Sequence, residues 1–289
     1  MIPAGSSGND ALRHAIPRLA GAGVPDPATD ARHLLAHALH IGLDRLTLHL
    51  PDPMADSARA RFEEALQARM SRQPVAQITG TRAFWGRAFR VTRDTLDPRP
   101  ETEILVAEAV SRPFLKVLDL GTGTGCILIS CLGSMPMATG LGVDISDAAL
   151  AVARDNAERL GLDRRARFAR SDWFGAVPGR YDLIVSNPPY IAAAEMPSLS
   201  REVHDWEPHI ALTPGGDGLD PYRIIARGAP ARLMPGGRLL VEIGPTQAEA
   251  VSALMAQAGL TGIRVLQDWD GRDRVVLGEK PADPDASCS

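Results

Sequence analysis

The chain has 289 residues, with 31 Lys and Arg against 35 Asp and Glu, a formal net charge of −4. Hydrophobic residues make up 45% and charged residues 23%. These values suit a soluble globular protein with a sizeable core and exclude a wholly disordered or collagen-like chain. No uncharged apolar run reaches the roughly 18 residues a spanning helix needs, and the charge argues against coating nucleic acid by bulk electrostatics. The 27 glycines and 23 prolines stand between apolar segments and not in repeats, so they read as turns. Cys126, Cys131 and Cys288 form no CxxC pair, which fits free thiols in a reducing cytoplasm and no zinc site. The opening MIPAGSSGNDALRH lacks a basic stretch leading into an apolar one, so no export signal is expected.

Residues 9–72 carry helical periodicity. Leu34, Leu35, Ala38, Leu39 and Ile41 recur at helical spacing, as do Phe62, Leu66 and Met70. Four or five short helices are expected, with Asp30 and Asp56 near helix starts and Gly42 near a stop; Pro17 leaves the first helix open. After Gln73-Pro74 the texture changes, and AFWGRAFRVTRDTLDP (83–98) reads as a β-hairpin or extended linker. From Glu101 onward helix and strand alternate. Strands are expected at 115–120, 138–145, 166–170, 181–186, 237–244, 262–267 and 273–278. A helix runs from about 101 to 112, and another from an N-cap at Ser146 to a C-cap at Gly161. Alternation of this kind predicts a doubly wound, mostly parallel sheet. The short DWDGRD link between the last two strands predicts an antiparallel strand near one edge. The expected segments are a helical N-terminal domain at 1–75, a hairpin linker at 76–100, an α/β domain at 101–280 and a tail at 281–289.

Charge follows these divisions. Residues 1–79 hold eight basic and eight acidic groups, whereas 101–289 hold 18 basic and 25 acidic. The stretch between carries Arg82, Arg87, Arg90, Arg93 and Arg99 against Asp94 and Asp97. That basic concentration is either a solvated face or a contact surface for RNA or an acidic partner.

Asp119-Leu-Gly-Thr-Gly-Thr-Gly125 lies where a buried strand meets a helix. Its Gly121, Thr122, Gly123, Thr124 and Gly125 give a GxGxG spacing, not the GxGxxG of dinucleotide folds. The next strand ends in Asp144, which can accept both hydroxyls of a ribose. A loop and acid that fit a nucleoside, with a poor match to a pyrophosphate, point to S-adenosylmethionine, which leaves S-adenosylhomocysteine as product. Asp119 would meet the cofactor's amino group or order the loop. In Ser171-Asp172-Trp173-Phe174, Asp172 could accept from an adenine amino group and Trp173 could cover the ring.

Tyr181-Asp-Leu-Ile-Val-Ser-Asn-Pro-Pro-Tyr190 then runs a strand straight into Asn187, Pro188, Pro189 and Tyr190. Two prolines remove two N–H donors and leave acceptors, the Asn187 side-chain oxygen and the Pro188 carbonyl. Two acceptors suit a planar NH₂ group with two hydrogens to place, and Tyr190 could stack on it. The bland alternative is a strand ended by an ordinary Pro turn.

On these motifs the sequence resembles the HemK-type (PrmC) release-factor glutamine methyltransferases. DLGTGTG, SDWF and NPPY occur in family order and spacing. LDPRPETE (96–103), EVHDWEPHIAL (202–212), GGDGLDPY (215–222) and PGGRLLVEIG (235–244) extend the likeness over roughly 75–278. The resemblance implies a class I S-adenosylmethionine-dependent methyltransferase fold behind a small all-α domain. It implies methylation of the side-chain amide nitrogen of the Gly-Gly-Gln glutamine of class 1 peptide-chain release factors. The cofactor contacts it implies are Gly121 to Gly125, Asp144, Trp173 and Asn187; the glutamine contacts are Asn187, Pro188, Pro189 and Tyr190. Cys126 and Asp97 depart from the family pattern, where a small residue and an aliphatic one are usual.

No histidine is needed as a base before attack, and His204 and His209 read as structural. Glu202 and Glu207 are expected to order the substrate loop. Two other functions remain open. NPPY-type motifs also serve enzymes that methylate exocyclic amines of nucleic-acid bases, and the Arg-bearing linker could make a weak RNA contact. A non-catalytic protein binding S-adenosylmethionine or release factor would have no need of Asn187 and Tyr190. No membrane association is expected, and the site of action is expected to be the cytoplasm.

Overall fold

Ser7 opens the first helix, Gly8–Gly21, through a capping box with Asp10, satisfying backbone donors that the first turn leaves free. In a computed structural model, which describes residues 2–282, that helix runs unbroken through Pro17. The next helix, Pro27–Leu39, starts from an Asp26 cap, with a proline in its first turn. Asp30 is therefore inside it and Gly42 beyond its end, which falls at a left-handed His40. Helices Asp56–Met70 and Val75–Thr79 follow. Leu19, Leu34, Leu35, Leu46, Phe62 and Leu66 are fully buried in one cluster, each contributing about 1.5–3 kcal/mol of apolar transfer.

The chain divides into two compact units, one running to Thr81 and including Ser200–Trp206, the other holding Arg82–Leu199 and the chain from Glu207 onward. In the first, the 200–206 segment is tied by ion pairs: Arg69 reaches Asp30 at 2.7 Å and Glu202 at 2.9 Å, and Arg72 reaches Glu202 at 2.6 Å. Glu202 thus belongs to this helical unit. Burial raises the Glu202 pKa, but hydrogen bonds from Arg72 and Arg69 outweigh it and bring the carboxyl down to about 2.

From Arg82 the second unit takes in all but the first residue of a hairpin, β1 (Thr81–Phe84) and β2 (Arg87–Arg90). Trp85 and Gly86 both take positive φ, as a two-residue primed turn requires. Phe84 and Phe89 stack edge to face at 6.0 Å within the same core as the strands that follow. The hairpin is thus part of the second unit's core and not a free spacer.

Those strands are β3 (Lys116–Leu120), β4 (Thr139–Asp144), β5 (Ala166–Arg170), β6 (Tyr181–Ser186), β7 (Leu233–Glu242), β8 (Thr261–Gln267) and β9 (Asp273–Glu279). They form one seven-stranded sheet in the order β5-β4-β3-β6-β7-β9-β8. The pairs from β5 to β7 are parallel, and β9 is antiparallel to both its neighbours. Alternate residues feed opposite faces: Val117, Leu183, Val185 and Leu240 enter one core, Leu118, Ile184, Leu239 and Val241 the other. Strands buried on both sides explain the near-continuous apolar runs in the sequence. β7 begins at Leu233, ahead of the PGG turn, and carries a register irregularity there.

This order places a topological switch between β3 and β6, since the chain winds outward from β3 and then returns beside it. Ligands of such sheets sit outside the carboxyl ends of the strands at that point. Leu120 is in register with both Val143 and Ser186, and Ser186 with Val241. The next residues, Asp144, Gly121, Asn187 and Glu242, therefore form a row across four parallel strand ends.

Candidate active site

Each member of that row is held by local chemistry. Gly121, Gly123 and Gly125 all have positive φ. At Gly121 and Gly123 an added Cβ would meet no protein atom within 4 Å, so the loop presents bare backbone to a cavity. Gly125 caps the helix Cys126–Ser134. Asp144 Oδ2 accepts from the Gly123 N–H at 3.0 Å and Oδ1 from the Ser146 N–H at 2.9 Å. Each oxygen keeps a further lone pair for a ligand.

Asp119 lies beneath the loop. It is 0% exposed, and its Oδ2 accepts from the Thr122 hydroxyl at 2.6 Å. Its other oxygen has no partner. Burial pushes this carboxyl up to about 7, and the Thr122 hydrogen bond opposes the shift. Of the two roles expected for Asp119, these contacts favour ordering the loop.

Two cavities open on the row. Gly121, Thr122, Gly123, Thr124, Asp144, Asn187 and Pro189 line the first, together with the 94–99 segment and Thr102. Asp172 and Trp173 line the second with Ile145, Ile210 and Ile224. Gly121, Asp144, Ile145, Pro189 and Ile210 border both, so the two are lobes of one groove. The second lobe has an apolar wall suited to a flat ring, beside a carboxylate at Asp172. Trp173 holds a positive φ of 47°, and its carbonyl accepts from the Ser171 hydroxyl at 2.8 Å.

Asp119, Gly125, Pro188 and Tyr190 line neither lobe. Pro188 is buried. Tyr190 is packed against the core, its carbonyl accepts from Gln247 Nε2 at 3.0 Å, and burial pushes its phenol up to about 12.

Thr95, Thr102, Pro208, Ile210 and Ala211 also line the wall. All but Thr95 lie in the LDPRPETE and EVHDWEPHIAL segments, whose sequence gives these residues no site role by itself. Asp97 is 4% exposed, with Oδ1 unpartnered; burial raises its pKa, against the nearby positive charges of Arg99 and Arg82. Glu207 accepts from Arg99 at 2.6 Å, yet burial pushes it up to about 7. Cys126 is buried, and burial raises its thiol to about 12, so it has no thiolate chemistry at neutral pH. His204 sits 2.8 Å from Asp205 in the helical unit, and neither it nor His209 lines the groove.

Residues 10–80 match the family described as the PrmC N-terminal domain, and residues 92–216 match the Methyltransferase small domain. The release factor glutamine methyltransferase of Cereibacter sphaeroides is 63% identical over 273 residues, covering 94% of this chain and 98% of that protein. That of Rhodospirillum rubrum is 44% identical over 270 residues, covering 92% and 82%. A crystal structure of a methyltransferase from Pyrococcus furiosus matches with a TM-score of 0.53 at 16% identity, over 74% of this chain and 98% of that one. The last likeness is one of fold. No helix among the described residues is long and apolar enough to cross a membrane.

Proposed function

Because the chain belongs to the release factor glutamine methyltransferase family, we propose that the groove holds S-adenosylmethionine and the glutamine side chain of a release factor, and that the methyl acceptor is the amide nitrogen of the Gly-Gly-Gln glutamine. The observation that carries this reading is the row itself. Asn187 stands beside Gly121 at the switch point, with Asp144 on the far side of the loop.

The groove fits the cofactor's parts. The open space over Gly121 and Gly123 admits a ligand against backbone, Asp144 offers lone pairs to ribose hydroxyls, and the Ile145–Trp173–Ile210 lobe suits adenine. When bound, S-adenosylmethionine supplies a methyl group on a sulfonium, an electrophile that needs no prior activation. Asp119 holds the loop through Thr122. Asn187 and Pro189, which border the groove, receive the glutamine, with Tyr190 packed against the core behind them.

An amide nitrogen is a poor nucleophile because its lone pair is delocalised into the carbonyl. Asn187 Oδ1 accepts one of its hydrogens and fixes the direction of the nitrogen. As positive charge develops there, that bond strengthens, which is stabilisation specific to the transition state. Fixed orientation supplies a further part of the rate. The surplus proton leaves to water afterwards, so no resident base is required.

The competing reading, methylation of a base amine, would draw on the Arg-bearing hairpin. Arg90 is engaged by Asp155 and Arg99 by Glu207, while Arg82 and Arg87 donate to the carbonyls of Pro98 and Trp85. The ion pairs of Arg90 and Arg99 reduce the field available to phosphate and favour a protein substrate over an RNA contact. A cytoplasmic location is supported by two buried, unbridged cysteines, Cys126 and Cys131. The test is incubation with purified release factor and labelled methyl donor, followed by peptide mapping. One methyl group on the Gly-Gly-Gln peptide, lost when its Gln is changed, is the expected result. Label appearing on nucleic acid alone would overturn it.

A further inference from the structure

Asn187 can accept from a substrate amide only if its own amide points the right way round, carbonyl toward the groove. What fixes that choice lies behind it. Asn187 Nδ2 donates to the Thr102 hydroxyl over 3.4 Å, and Thr102 is 2% exposed. Glu242, next to Asn187 across the β6–β7 register, is 1% exposed, and its Oε2 has no partner. The Thr102 hydroxyl lies close enough to the Glu242 carboxyl to favour its ionised form, as a donor to it does.

We propose that Thr102 and Glu242 are positioning residues that set which end of the Asn187 amide faces the substrate. This rests on Asn187 being the acceptor for the glutamine amide. A hydroxyl has a single hydrogen to give, and a carboxylate can only accept. With Glu242 ionised, Thr102 gives its hydrogen to Glu242 and must accept from Asn187. The Asn187 NH₂ then faces Thr102 and its carbonyl faces the groove. With Glu242 protonated, the acid can donate to Thr102. Thr102 is then free to donate to the Asn187 carbonyl, and the amide turns its NH₂ toward the substrate, where two donors meet.

The charge state of Glu242 therefore matters. Burial pushes its carboxyl up to about 7, with Glu101 adding to the shift and Thr102, Arg274 and Arg99 opposing it. The Tyr190 and Tyr222 phenols and the Cys126 thiol also face it, and their own pKa values are raised by burial. All three stay neutral where Glu242 titrates. Arg274 is held by Asp268 at 3.0 Å, so it does not neutralise Glu242 alone.

The experiment is a kcat–pH profile from pH about 5.5 to 9 with saturating donor and release factor, on the wild type, Thr102→Val, Thr102→Ser, Glu242→Gln and Asn187→Ala. Donor binding is measured by calorimetry on each. Thr102→Val, isosteric but without the hydroxyl, is expected to lower kcat on the order of a hundredfold, while donor affinity stays within about threefold. Thr102→Ser should restore most of the rate. The wild type should lose activity as the pH falls through about 7, and Glu242→Gln should be slow without that limb. Wild-type kcat in Thr102→Val, an unchanged acid limb in Glu242→Gln, or a Thr102→Ser variant no better than Thr102→Val would overturn the proposal. An active Asn187→Ala variant would instead remove the reading on which it rests.

Discussion

Asp144 Oδ2 accepts the Gly123 N–H at 3.0 Å, joining the end of β4 to the loop after β3 across 21 residues of sequence. One carboxylate thus shapes the loop and faces the groove. Asp144→Ala should weaken S-adenosylmethionine binding by about 10- to 100-fold, the equivalent of one or two charge-assisted hydrogen bonds. At saturating donor, kcat should fall much less. Titration calorimetry beside steady-state kinetics separates the two, and unchanged affinity would count against a ribose-binding Asp144.

A buried acid under that loop gives a pH signature. The folded pKa of Asp119 is raised to about 7 from 3.8, so the native state holds its proton more tightly than the unfolded chain. Its contribution is most favourable below pH 3.8 and is lost as pH rises toward about 7. Asp119→Asn keeps an acceptor for Thr122 without the charge. Relative to the wild type, it should gain about 1–3 kcal/mol between pH 6 and pH 8 in urea unfolding. A difference that does not change with pH would contradict this.

The helical unit should show the opposite sign. Glu202 has its carboxyl lowered to about 2 from 4.5, so its contribution is present above pH 4.5 and lost as pH falls toward 2. Arg69 is buried between Asp30 and Glu202. Arg69→Ala should cost about 1–3 kcal/mol because it leaves a half-buried Asp30 without its ion pair and Glu202 with Arg72 alone. Removing the exposed Arg13, paired with Asp10, should cost about 0–1 kcal/mol. Equal costs in urea unfolding would show that the cluster adds nothing to stability.

Much of the fold is written locally. The strand–glycine–helix passage at 116–126 and the strand running into Asn187 need only neighbours in sequence, and the α/β alternation and the antiparallel β9 follow from turn spacing. Contacts set by tertiary register left no such trace. Glu242 reads as one more residue of an apolar strand, and Thr102 as part of a helix start; the β6–β7 pairing brings the first to Asn187, and a contact across 85 residues of sequence brings the second. Glu202 sits one turn from Trp206 in sequence, close to the groove-lining Pro208, yet its carboxylate serves the helical unit through Arg69 and Arg72. Ser171 and Asp172 could be picked out, whereas the Ile145–Ile210 wall opposite them is assembled from two distant loops.

Cys126 departs from the small residue usual at its position and lines the groove. Its thiol is raised to about 12 by burial, so native protein at pH 8 should resist iodoacetamide at Cys126 and at buried Cys131. Cys126→Ala should keep activity within about twofold, having lost no catalytic group. Peptide mapping after alkylation checks the first point, and rapid modification of Cys126 would contradict its burial. Cys288 lies outside the described residues.

The most direct measurement is methyl transfer to a purified release factor by Asn187→Ala, with donor affinity determined on the same preparation. Loss of the acceptor that aligns the glutamine amide should lower kcat by about 10²- to 10³-fold, with S-adenosylmethionine binding weakened far less. Turnover close to that of the wild type would contradict the role assigned to Asn187, and with it the scheme in which an acceptor at the end of β6 prepares an amide nitrogen for attack.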